Sequence, residues 1–406
     1  MEVNMKACGL IVEYNPFHNG HLHHLNQSRL LSNAECMIAV MSGNFLQRGE
    51  PAIVDKWARS KMALSQGVDL VIELPYPYAV QHSEYFSQGA VTILNKLHAD
   101  YLCFGSEHGD IEEFIRMEKW IHSNEETYKQ ALKKHLNDGL SYPMAHEKAH
   151  KEIGPKGEAL DLTKPNNILG RQYVRQILEQ NTSMMPLTIP RIHNNYHDNE
   201  INGPIASATS IRNELIRNNN WNDSMKASVP SSTEQIMNDY YEETKTWHLW
   251  ELYFPLLINR ILTSNRKDLQ AIHGIKEGLE NRIYQAAEKA DSYTDFIQRV
   301  KTKRYTWTSI QRIFTHILTN TTKDEMLQLR KQEPEVRILG MNQTGRAYLH
   351  YLKSKELEFT LYTSSKSPYR YQDHVRRINH AYYSILSTNI RRQKSLQEFQ
   401  SPIIYT

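Results

Sequence analysis

The sequence predicts an α/β fold in which a doubly wound parallel sheet is followed by a mainly helical C-terminal region. Short apolar segments alternate with helix-like stretches through the first 110 residues. The segments are continuously apolar, which is typical of strands buried on both faces of a parallel sheet. Alternation of such strands with helices indicates crossover connections that pack helices on both sides of the sheet.

The predicted elements follow in order along the chain. Four predicted strands are ACGLIVEY, CMIAVM, VDLVIELP and ADYLCFG, and the predicted helices between them cover 22–32, 54–66 and 84–97. Helical patterns with polar faces continue from about 110 to 180, after which MMPLTIPRI predicts another strand and SATSIRNELIRN a further helix. Ligands bind beyond the carboxyl ends of the strands in such sheets, so we expect the site where the first strand meets NPFHNGH.

A domain boundary is predicted near residue 230, where the Asn-rich segment RNNNWND and then VPSSTEQ interrupt the helical pattern. The division gives a first domain of residues 1–230 and a C-terminal region of residues 231–406. Most of the segment from 240 to 330 is predicted as helix. Near the end of the chain, EVRILGMNQTGRAYLHYLK and ELEFTLYTSS predict a small strand–helix–strand unit.

Composition limits the possible classes of protein. The 48 basic and 45 acidic residues give a formal net charge of +3, so charge clusters are more informative than the overall field. No apolar run of about 18 residues and no signal peptide is seen, so we expect a soluble cytoplasmic protein with no membrane partner. Cys8, Cys36 and Cys103 lie in short apolar segments and are predicted as core residues of a reducing compartment.

A histidine cluster follows the first predicted strand. Four histidines lie within seven positions: His18, His21, His23 and His24. Spacings of three residues can place metal ligands on one helix face. However, Pro16 and the Asn19–Gly20 pair predict a turn at the beginning of this segment, and no carboxylate or cysteine stands at a partner spacing nearby. No metal site is therefore predicted.

Phosphate binding fits the local pattern of strand, turn and helix better. A helix that begins near His21 presents free backbone N–H groups and a partial positive charge to an anion. Gly20 has no side chain, so a phosphate or base can approach the backbone closely. Histidines can donate hydrogen bonds to phosphate oxygens as charge builds in a transition state. A surface turn with incidental histidines is the alternative interpretation.

Two short motifs carry a family resemblance. HNGH at 18–21 resembles the HxGH signature of the nucleotidylyltransferase superfamily and is similar to the HIGH motif of class I aminoacyl-tRNA synthetases. SATSIR at 207–212 resembles the second superfamily motif, (S/T)xTxIR. The resemblance implies attack on the α-phosphate of a nucleoside triphosphate with release of pyrophosphate. It also implies that Ser207, Thr209 and Arg212 bind the β- and γ-phosphates, a role that suits the planar fork of arginine.

Longer segments resemble the bacterial tRNA(Met) cytidine acetate ligase family: GLIVEYNPFHNGHLHHL, MSGNFLQRGEPAIVDKWARSKMAL, VIELPYPYAVQHSEYFSQGAV and KPNNILGRQY. The resemblance implies a Rossmann-like ATP-binding domain that forms acetyl-adenylate from acetate and ATP. Mg²⁺ is also expected, since it would help this reaction by bridging phosphates. The acetyl group then passes to N4 of the wobble cytidine, position 34 of elongator tRNA(Met), and gives N4-acetylcytidine. The resemblance also implies that acetyl-CoA is not used.

The same resemblance assigns site residues. His18 and His21 are implied as the catalytic groups that stabilise charge on the transferring phosphates. The implied ATP-binding residues are Ile11, Val12, Glu13, Tyr14, Asn15, Pro16, Phe17, His18, Asn19, Gly20, His21, Leu22, His23, His24, Gly105, Asn166 and Arg191. The last three have alternatives: Gly105 as a plain strand-end glycine, Asn166 as a helix N-cap, and Arg191 as a solvated surface group.

The segment GNFLQRGEPAIVDKWAR follows the second predicted strand and carries further charged residues. Arg48, Lys56 and Arg59 could neutralise phosphates. Asp55 is equally suited to cap a helix or to orient a catalytic group.

Binding of a tRNA needs additional basic surface, and two basic–aromatic clusters in the C-terminal region supply candidates. The first contains Lys301, Lys303, Arg304, Tyr305, Trp307 and Arg312; the second contains Arg370, Tyr371, Arg376, Arg377, Arg391 and Arg392. We predict tRNA contacts for Lys303, Arg304, Arg312, Arg376 and Arg377. Core edges and solvated helix faces are the alternative interpretation of both clusters.

Three other functions remain open at this stage. The two phosphate motifs would equally serve a small-molecule nucleotidylyltransferase or an acetate ligase that acts on a carrier-protein thiol. A non-catalytic RNA-binding protein with a vestigial nucleotide fold is a third possibility, which the intact motifs disfavour. The oligomeric state is left open by the sequence.

Overall fold

An eight-stranded sheet organises the part of the chain that the computed structural model describes. The described residues are 5–140, 142–154, 160–191, 205–218, 220–303, 305–355, 360–363 and 371–406. The strands are β1 (Ala7–Val12), β2 (Cys36–Ser42), β3 (Leu70–Leu74), β4 (Tyr101–Ser106), β5 (Met185–Pro190), β6 (Val336–Met341), β7 (Leu361–Tyr362) and β8 (Ile403–Ile404). Their spatial order is β5-β4-β1-β2-β3-β6-β7, and β8 also pairs with β6.

The first five strands form the predicted parallel sheet. Every pairing among them is parallel: β1 with β2, β1 with β4, β2 with β3, and β4 with β5. The helices that connect or flank these strands are α1 (Asn19–Ser32), α2 (Lys56–Ser65), α3 (Tyr76–Ala79), α4 (Ser83–Lys96), α5 (Ile111–Ser123), α6 (Glu125–Asn137), α7 (Tyr142–Ile153) and α8 (Pro165–Glu179). The doubly wound α/β prediction is confirmed.

Burial explains why these strands are apolar throughout. Successive residues of β1 and β2 alternate between two separate hydrophobic clusters, one on each face of the sheet. Helices cover both faces, so neither face of these strands meets water. Cys8, Cys36 and Cys103 are all buried and free, as predicted for core residues.

The C-terminal region is mainly helical, as predicted. Its elements, together with those that lead into it, are α9 (Ala208–Asn218), α10 (Asp223–Ser228), α11 (Ser231–Thr244), α12 (Trp250–Thr263), α13 (Arg266–Ala271), α14 (Leu279–Ala287), α15 (Tyr293–Val300), α16 (Trp307–Leu318), α17 (Lys323–Arg330), α18 (Gln343–Ser354), α19 (Gln372–Tyr382) and α20 (Thr388–Gln397). A third hydrophobic cluster joins α12–α16 and α19 to Phe45 and Tyr76 of the first region.

The predicted C-terminal strand–helix–strand unit is present, but it does not stand apart from the first sheet. Strand β6 pairs antiparallel with β3, and β7 and β8 pair parallel with β6. All six residues of β6 are buried, and the strand covers the edge of β3 that does not pair with β2. The division at residue 230 stays a prediction, and the sheet itself contains strands from both sides of it.

A buried ionic cluster fastens the C-terminal unit to the sheet. Lys56 Nζ lies 2.8 Å from Glu73 Oε1 and 3.0 Å from Glu398 Oε2. The Arg337 guanidinium lies 3.0 Å from Glu73 and 2.8 Å from Glu398. Burial opposes ionisation of Glu398, yet Lys56 and Arg337 lower its pKa to about 2.

None of the helices in the described ranges has both the length and the apolarity needed to cross a lipid bilayer.

Candidate active site

A cavity of about 320 Å³ opens at the carboxyl ends of β1, β4 and β5, the sheet edge where the sequence predicts a site. Its wall contains sixteen of the predicted site residues: Ile11, Val12, Glu13, Tyr14, Asn15, His18, Gly20, His21, His23, His24, Gly105, Asn166, Arg191, Ser207, Thr209 and Arg212. The fold therefore brings together segments that are about 190 residues apart in the sequence, as the rule for open α/β sheets predicts.

The two motif histidines lie side by side at the N-terminus of α1. The backbone carbonyl of His18 accepts hydrogen bonds from the amides of His21 at 2.8 Å and Leu22 at 3.1 Å, which begins the helix. The His18 backbone N–H donates to His21 Nδ1 at 3.3 Å. The two rings stack with centroids 3.7 Å apart. Since Nδ1 of His21 is an acceptor, the proton of its neutral ring is on Nε2 and can be donated to a ligand.

Both histidines are neutral in this environment. Loss of hydration, with smaller contributions from Arg191 and Arg212, lowers the pKa of His18 to about 3. Loss of hydration and the neighbouring His18 ring lower the pKa of His21 well below its usual value. Each ring therefore offers one N–H donor and costs no buried charge before a ligand arrives.

Gly20 is required by the His18 ring. A Cβ atom at this position would lie 2.9 Å from His18 Cε1 and 3.0 Å from His18 Nδ1. The prediction attributed this glycine to close approach of a phosphate or base. The space beside it is taken first by the imidazole, so the glycine leaves room for the His18 side chain.

Four buried polar atoms around this loop have no hydrogen-bond partner among the described residues: Tyr14 Oη, Asn15 Nδ2, His18 Nδ1 and His24 Nε2. Asn15 Oδ1 accepts from the Ile53 amide at 2.8 Å, so its NH₂ group is left as the free end. Buried polar groups without partners are rare in native proteins. A polar ligand with several acceptor atoms, such as a nucleoside triphosphate, fits this set of atoms.

The second motif closes the cavity from the other side. Ser207 caps α9, because its Oγ accepts from the Ser210 amide at 3.0 Å. One turn later, Arg212 donates to the Asn15 carbonyl at 2.8 Å, and its other terminal nitrogen lies 3.3 Å from Glu50 Oε2. The arginine therefore joins the second motif to the loop that precedes the first motif. It is held in place by a backbone acceptor of the first loop before any phosphate is present.

Gly105, Asn166 and Arg191 lie together at the β4–β5 end of the cavity. The α8 helix begins at Pro165, and Asn166 does not cap it. Instead, Asn166 Nδ2 donates to Glu107 Oε1 at 2.6 Å, and its Oδ1 accepts from Arg191 at 3.2 Å. Arg191 is exposed, yet its side chain lines the cavity and donates to Asn166.

Four predicted ATP-binding residues do not line the cavity: Pro16, Phe17, Asn19 and Leu22. Phe17 is fully buried in the core, and Leu22 packs against the same cluster. The Asn19 side chain donates to the carbonyl of Ala227 at 2.8 Å, on the side of α1 that faces α10. These residues shape the loop without lining the cavity.

The segment after β2 contributes to the cavity more than the sequence indicated. Gln47, Arg48 and Glu50 lie on its wall. The Gln47 amide donates to Glu13 Oε1 at 2.7 Å, and burial raises the pKa of the Glu13 carboxyl. Position at the carboxyl end of a strand was the available signal for these three. Arg48 was predicted as a possible phosphate contact, whereas Gln47 and Glu50 were missed. Phe86 and Tyr173 were also missed, because they lie on helices and have no such signal.

Lys56 and Arg59 are not available to phosphates. Lys56 belongs to the buried ionic cluster with Glu73 and Glu398. Arg59 is fully buried and donates to backbone carbonyls of three segments, including Glu13 at 2.7 Å. Asp55 caps α2, since its carboxylate accepts from the Ala58 amide at 2.8 Å.

The predicted tRNA-contact residues that the structure describes are not gathered in one cavity. Arg304, like Arg370, lies outside the described residues, and Lys303 is exposed. Arg377 pairs with Glu325 and donates to the Thr319 carbonyl at 2.9 Å, so its charge is compensated within the protein. The remaining two residues line two other cavities. Arg312 lines a cavity of about 260 Å³, and Arg376 lines a cavity of about 410 Å³.

Arg312 lies beside the loop that follows β2. Its guanidinium is 3.5 Å from the Gln47 carbonyl, and burial together with Arg48 lowers its pKa to about 10. A Cβ atom at Gly49 would lie 2.5 Å from the Arg312 backbone nitrogen. Helix α16 therefore packs directly on the loop that carries Arg48 and Glu50.

A family model and two curated relatives place this chain in the same family. Residues 5–398 match the HIGH Nucleotidyl Transferase family. A tRNA(Met) cytidine acetate ligase from Oceanobacillus iheyensis is 49% identical over 98% of this chain and 100% of the relative. The Bacillus subtilis protein of the same name is 46% identical over 89% of this chain and 88% of the relative.

Solved structures agree with these relatives. The crystal structure of apo Thermotoga maritima TmcAL has a TM-score of 0.90 and 32% sequence identity, and the match covers 98% of this chain and 99% of that chain. The same protein bound with alpha-thio ATP has a TM-score of 0.87 at 32% identity, with the same coverage.

Proposed function

This chain belongs to the HIGH nucleotidyl transferase family, and we propose that it is an ATP-dependent ligase that acetylates the wobble cytidine of elongator tRNA(Met). One observation carries the proposal. HNGH and SATSIR meet in a single cavity, in a chain that matches tRNA(Met) cytidine acetate ligases along nearly its whole length. A tRNA substrate implies a cytoplasmic location.

The proposed reaction has two steps. An acetate oxygen attacks the α-phosphorus of ATP, and the bond to the β-phosphate oxygen breaks, which gives acetyl-adenylate and pyrophosphate. The N4 amine of cytidine then attacks the acetyl carbonyl carbon, loses a proton, and displaces AMP. Activation is needed because the N4 lone pair is conjugated into the ring, so a plain carboxylate would not react with it.

His18 and His21 are proposed to contact the α-phosphate. As neutral donors at a helix N-terminus, they stabilise charge that spreads over the phosphate oxygens during the attack. Their stacking fixes both rings, so little reorganisation accompanies the reaction. The first half-reaction therefore depends on alignment and charge stabilisation, since acetate is already a nucleophile at neutral pH.

The rest of the ATP molecule is assigned to the two ends of the cavity. Ser207, Thr209 and Arg212 are proposed to bind the β- and γ-phosphates. Binding would exchange the Arg212–Glu50 contact of 3.3 Å for charge-assisted hydrogen bonds to phosphate. Gly105 and Asn166 are proposed to contact the nucleoside, with the Asn166 amide already oriented by Glu107 and Arg191.

We propose that Mg²⁺ enters with ATP. Within the described ranges, no group of three or more histidine, cysteine, aspartate or glutamate side chains is placed to hold a metal ion. Glu13 and Glu50 are the carboxylates on the cavity wall, and Mg²⁺ in nucleotide sites is commonly held by one or two carboxylates plus phosphates. When bound, the ion would be held by these carboxylates and would neutralise charge on the phosphates of ATP.

The test is mass spectrometry of nucleosides from elongator tRNA(Met) incubated with the protein, ATP, Mg²⁺ and isotopically labelled acetate. We expect labelled N4-acetylcytidine at the wobble position, and none in a matched tRNA whose wobble base is uridine. Pyrophosphate release without label would move the acceptor to another molecule, such as a small molecule or a carrier-protein thiol. Absence of both, in folded protein, would favour the non-catalytic RNA-binding protein.

A further inference from the structure

A second cavity, of about 410 Å³, lies among β6, α19 and α20 and shares no lining residue with the first. Its volume falls within the roughly 300–1,000 Å³ of cavities that hold a small ligand. The lining residues that bear on its ligand are Arg376, Asn379, Arg391, Arg392, Ser395 and Phe399. The chemistry described above uses none of them.

Asn379 lines this cavity and carries an unused side-chain donor. Asn44 Oδ1 accepts from the Lys56 backbone amide at 2.8 Å, so the Asn44 NH₂ group must face Asn379. It donates to Asn379 Oδ1 at 2.9 Å, which leaves Asn379 Nδ2 as the free end. Asn379 is only 4% exposed, and Nδ2 has no hydrogen-bond partner among the described residues. A buried donor fixed in this way indicates a ligand with an acceptor atom.

Three arginines surround the cavity without ion-pair partners. Within the described ranges, the side chains of Arg376, Arg391 and Arg392 make no salt bridge. Arg376 and Arg392 are exposed, and Arg391 is half-buried. Cations that converge on a cavity and lack carboxylate partners favour an anionic ligand, and the guanidinium fork suits phosphate.

The carboxylates of the cavity do not cancel this charge. Glu398 is already neutralised by Lys56 and Arg337 in the buried ionic cluster. Asp373 is the other carboxylate on the wall, and it is exposed to solvent. The three unpaired arginines therefore outnumber the one remaining acidic group.

Apolar side chains complete the cavity. Phe399 is 40% exposed and Leu396 is 60% exposed, so a ring and an aliphatic chain stand open at its wall. Proteins that bind single-stranded RNA combine an exposed aromatic ring for stacking, arginines for phosphate and an amide for the base edge. The cavity has all three features.

We propose that this second cavity binds one unpaired nucleotide of the tRNA substrate. Arg376, Arg391 and Arg392 contact its phosphate, Phe399 stacks on its base, and Asn379 Nδ2 donates to an acceptor on the base edge. The inference rests on the proposed function for the identity of the RNA. It gives the C-terminal region a defined anchor for tRNA, apart from the cavity where acetyl-adenylate forms.

The test compares two double variants that remove the same charge. Arg391→Gln/Arg392→Gln alters the cavity, whereas Arg346→Gln/Lys353→Gln alters exposed cations on α18 that do not line it. Dissociation constants for elongator tRNA(Met) are measured by fluorescence anisotropy at several salt concentrations. We expect the cavity variant to bind about tenfold more weakly, with a salt slope reduced by about one. Equal losses in both double variants would overturn the proposal, since only summed charge would then matter.

A stacking variant separates the base from the phosphate. Phe399→Ala should weaken tRNA binding about tenfold with an unchanged salt slope, because stacking releases no counterions. An unchanged dissociation constant in Phe399→Ala would overturn the stacking assignment. Binding of radiolabelled CMP that depends on the cavity, with tRNA affinity equal to that of the α18 control, would overturn the tRNA assignment in favour of a free nucleotide.

A further measurement separates the proposed ligase function from the cavity proposal. It is acetate-dependent exchange of pyrophosphate into ATP in the absence of tRNA. All these variants should exchange at the wild-type rate. No exchange by the wild-type protein would reject the proposed function and leave the cavity to be judged on the tRNA dissociation constants. Normal exchange with unchanged tRNA affinity in the cavity variant would reject the cavity proposal alone.

Discussion

The two cavities differ in how their charged groups are held before a ligand binds. In the first cavity, Arg212 donates to the Asn15 carbonyl and lies beside Glu50, while Arg191 donates to Asn166. In the second cavity, Arg376 and Arg392 are exposed and make no salt bridge within the described ranges. Fixed dipoles are what a transition state requires, whereas unpaired surface cations suffice for binding an RNA backbone.

The difference predicts which measured quantity changes when each cavity is altered. Changes in the first cavity should lower the rate of adenylation without tRNA. Changes in the second should alter tRNA affinity and its salt dependence only. The helices of the C-terminal region also hold the loop that carries Arg48 and Glu50, because Trp250 of α12 and Thr315 of α16 both donate to the Gly49 carbonyl, at 3.1 Å and 2.7 Å.

The largest effect is expected for His21→Asn. The asparagine Oδ1 can replace Nδ1 as the acceptor from the His18 amide, but no donor remains at the position of Nε2. Loss of one donor to a developing oxyanion typically costs about 10²–10³ in rate. We therefore expect acetate-dependent ATP–pyrophosphate exchange to fall by about that factor in folded protein.

His380→Asn is the matched control, since His380 is an exposed histidine of the second cavity. Its exchange rate should equal that of the wild type. Exchange by His21→Asn within about twofold of wild type would show that this ring does not contact the reacting phosphate, and the assignment of the first motif would fail.

A smaller effect is expected for Arg212→Lys. Lysine keeps the positive charge but cannot bond Asn15 and a phosphate together through a planar fork. Exchange should fall about 10- to 100-fold, chiefly through a higher KM for ATP. Arg217→Lys, on the same helix but exposed, should retain wild-type kinetics. Similar kinetics for both variants would mean that charge alone is required at this position.

Much of the first cavity was predictable because its residues follow strands. Strands β1 to β5 and helix α1 have clear hydrophobic patterns, and ligand residues at their carboxyl ends follow from the topology of a parallel sheet. His18, Gly105 and Arg191 were assigned by the family resemblance, and they lie at the strand ends where this topology places ligand residues. Phe86 and Tyr173 were not, because a mid-helix aromatic residue has the same pattern whether it faces the core or a ligand.

The partners of basic residues could not be predicted. Arg312, Arg377 and Lys56 are all candidates for phosphate contacts by sequence, yet a loop carbonyl, Glu325 and the buried ionic cluster hold them. Those partners lie 17 to 342 residues away in the chain. For the same reason, the pattern of β6 predicted a strand but not its antiparallel pairing with β3.

The smallest effect concerns pH and contrasts a desolvated histidine with an exposed one. Burial, with Arg191 and Arg212 nearby, lowers the pKa of His18 from 6.5 to about 3. Below pH 6.5 the unfolded chain binds a proton here that the folded protein does not, so the contribution of His18 to the free energy of unfolding is complete above pH 6.5. It is lost as the pH falls towards 3. Between these values, one proton corresponds to a slope of about 1.4 kcal/mol per pH unit.

His18→Gln should therefore reduce the dependence of unfolding free energy on pH by close to one proton between about pH 4.5 and 6. Urea denaturation at a series of pH values measures this slope, with His380→Gln as the exposed control from the second cavity. Other buried histidines contribute to the wild-type slope, so the difference between variants is the informative quantity. Identical slopes in His18→Gln and the wild type would mean that His18 is hydrated in solution, and the stacked, neutral pair proposed for adenylation would have to be abandoned.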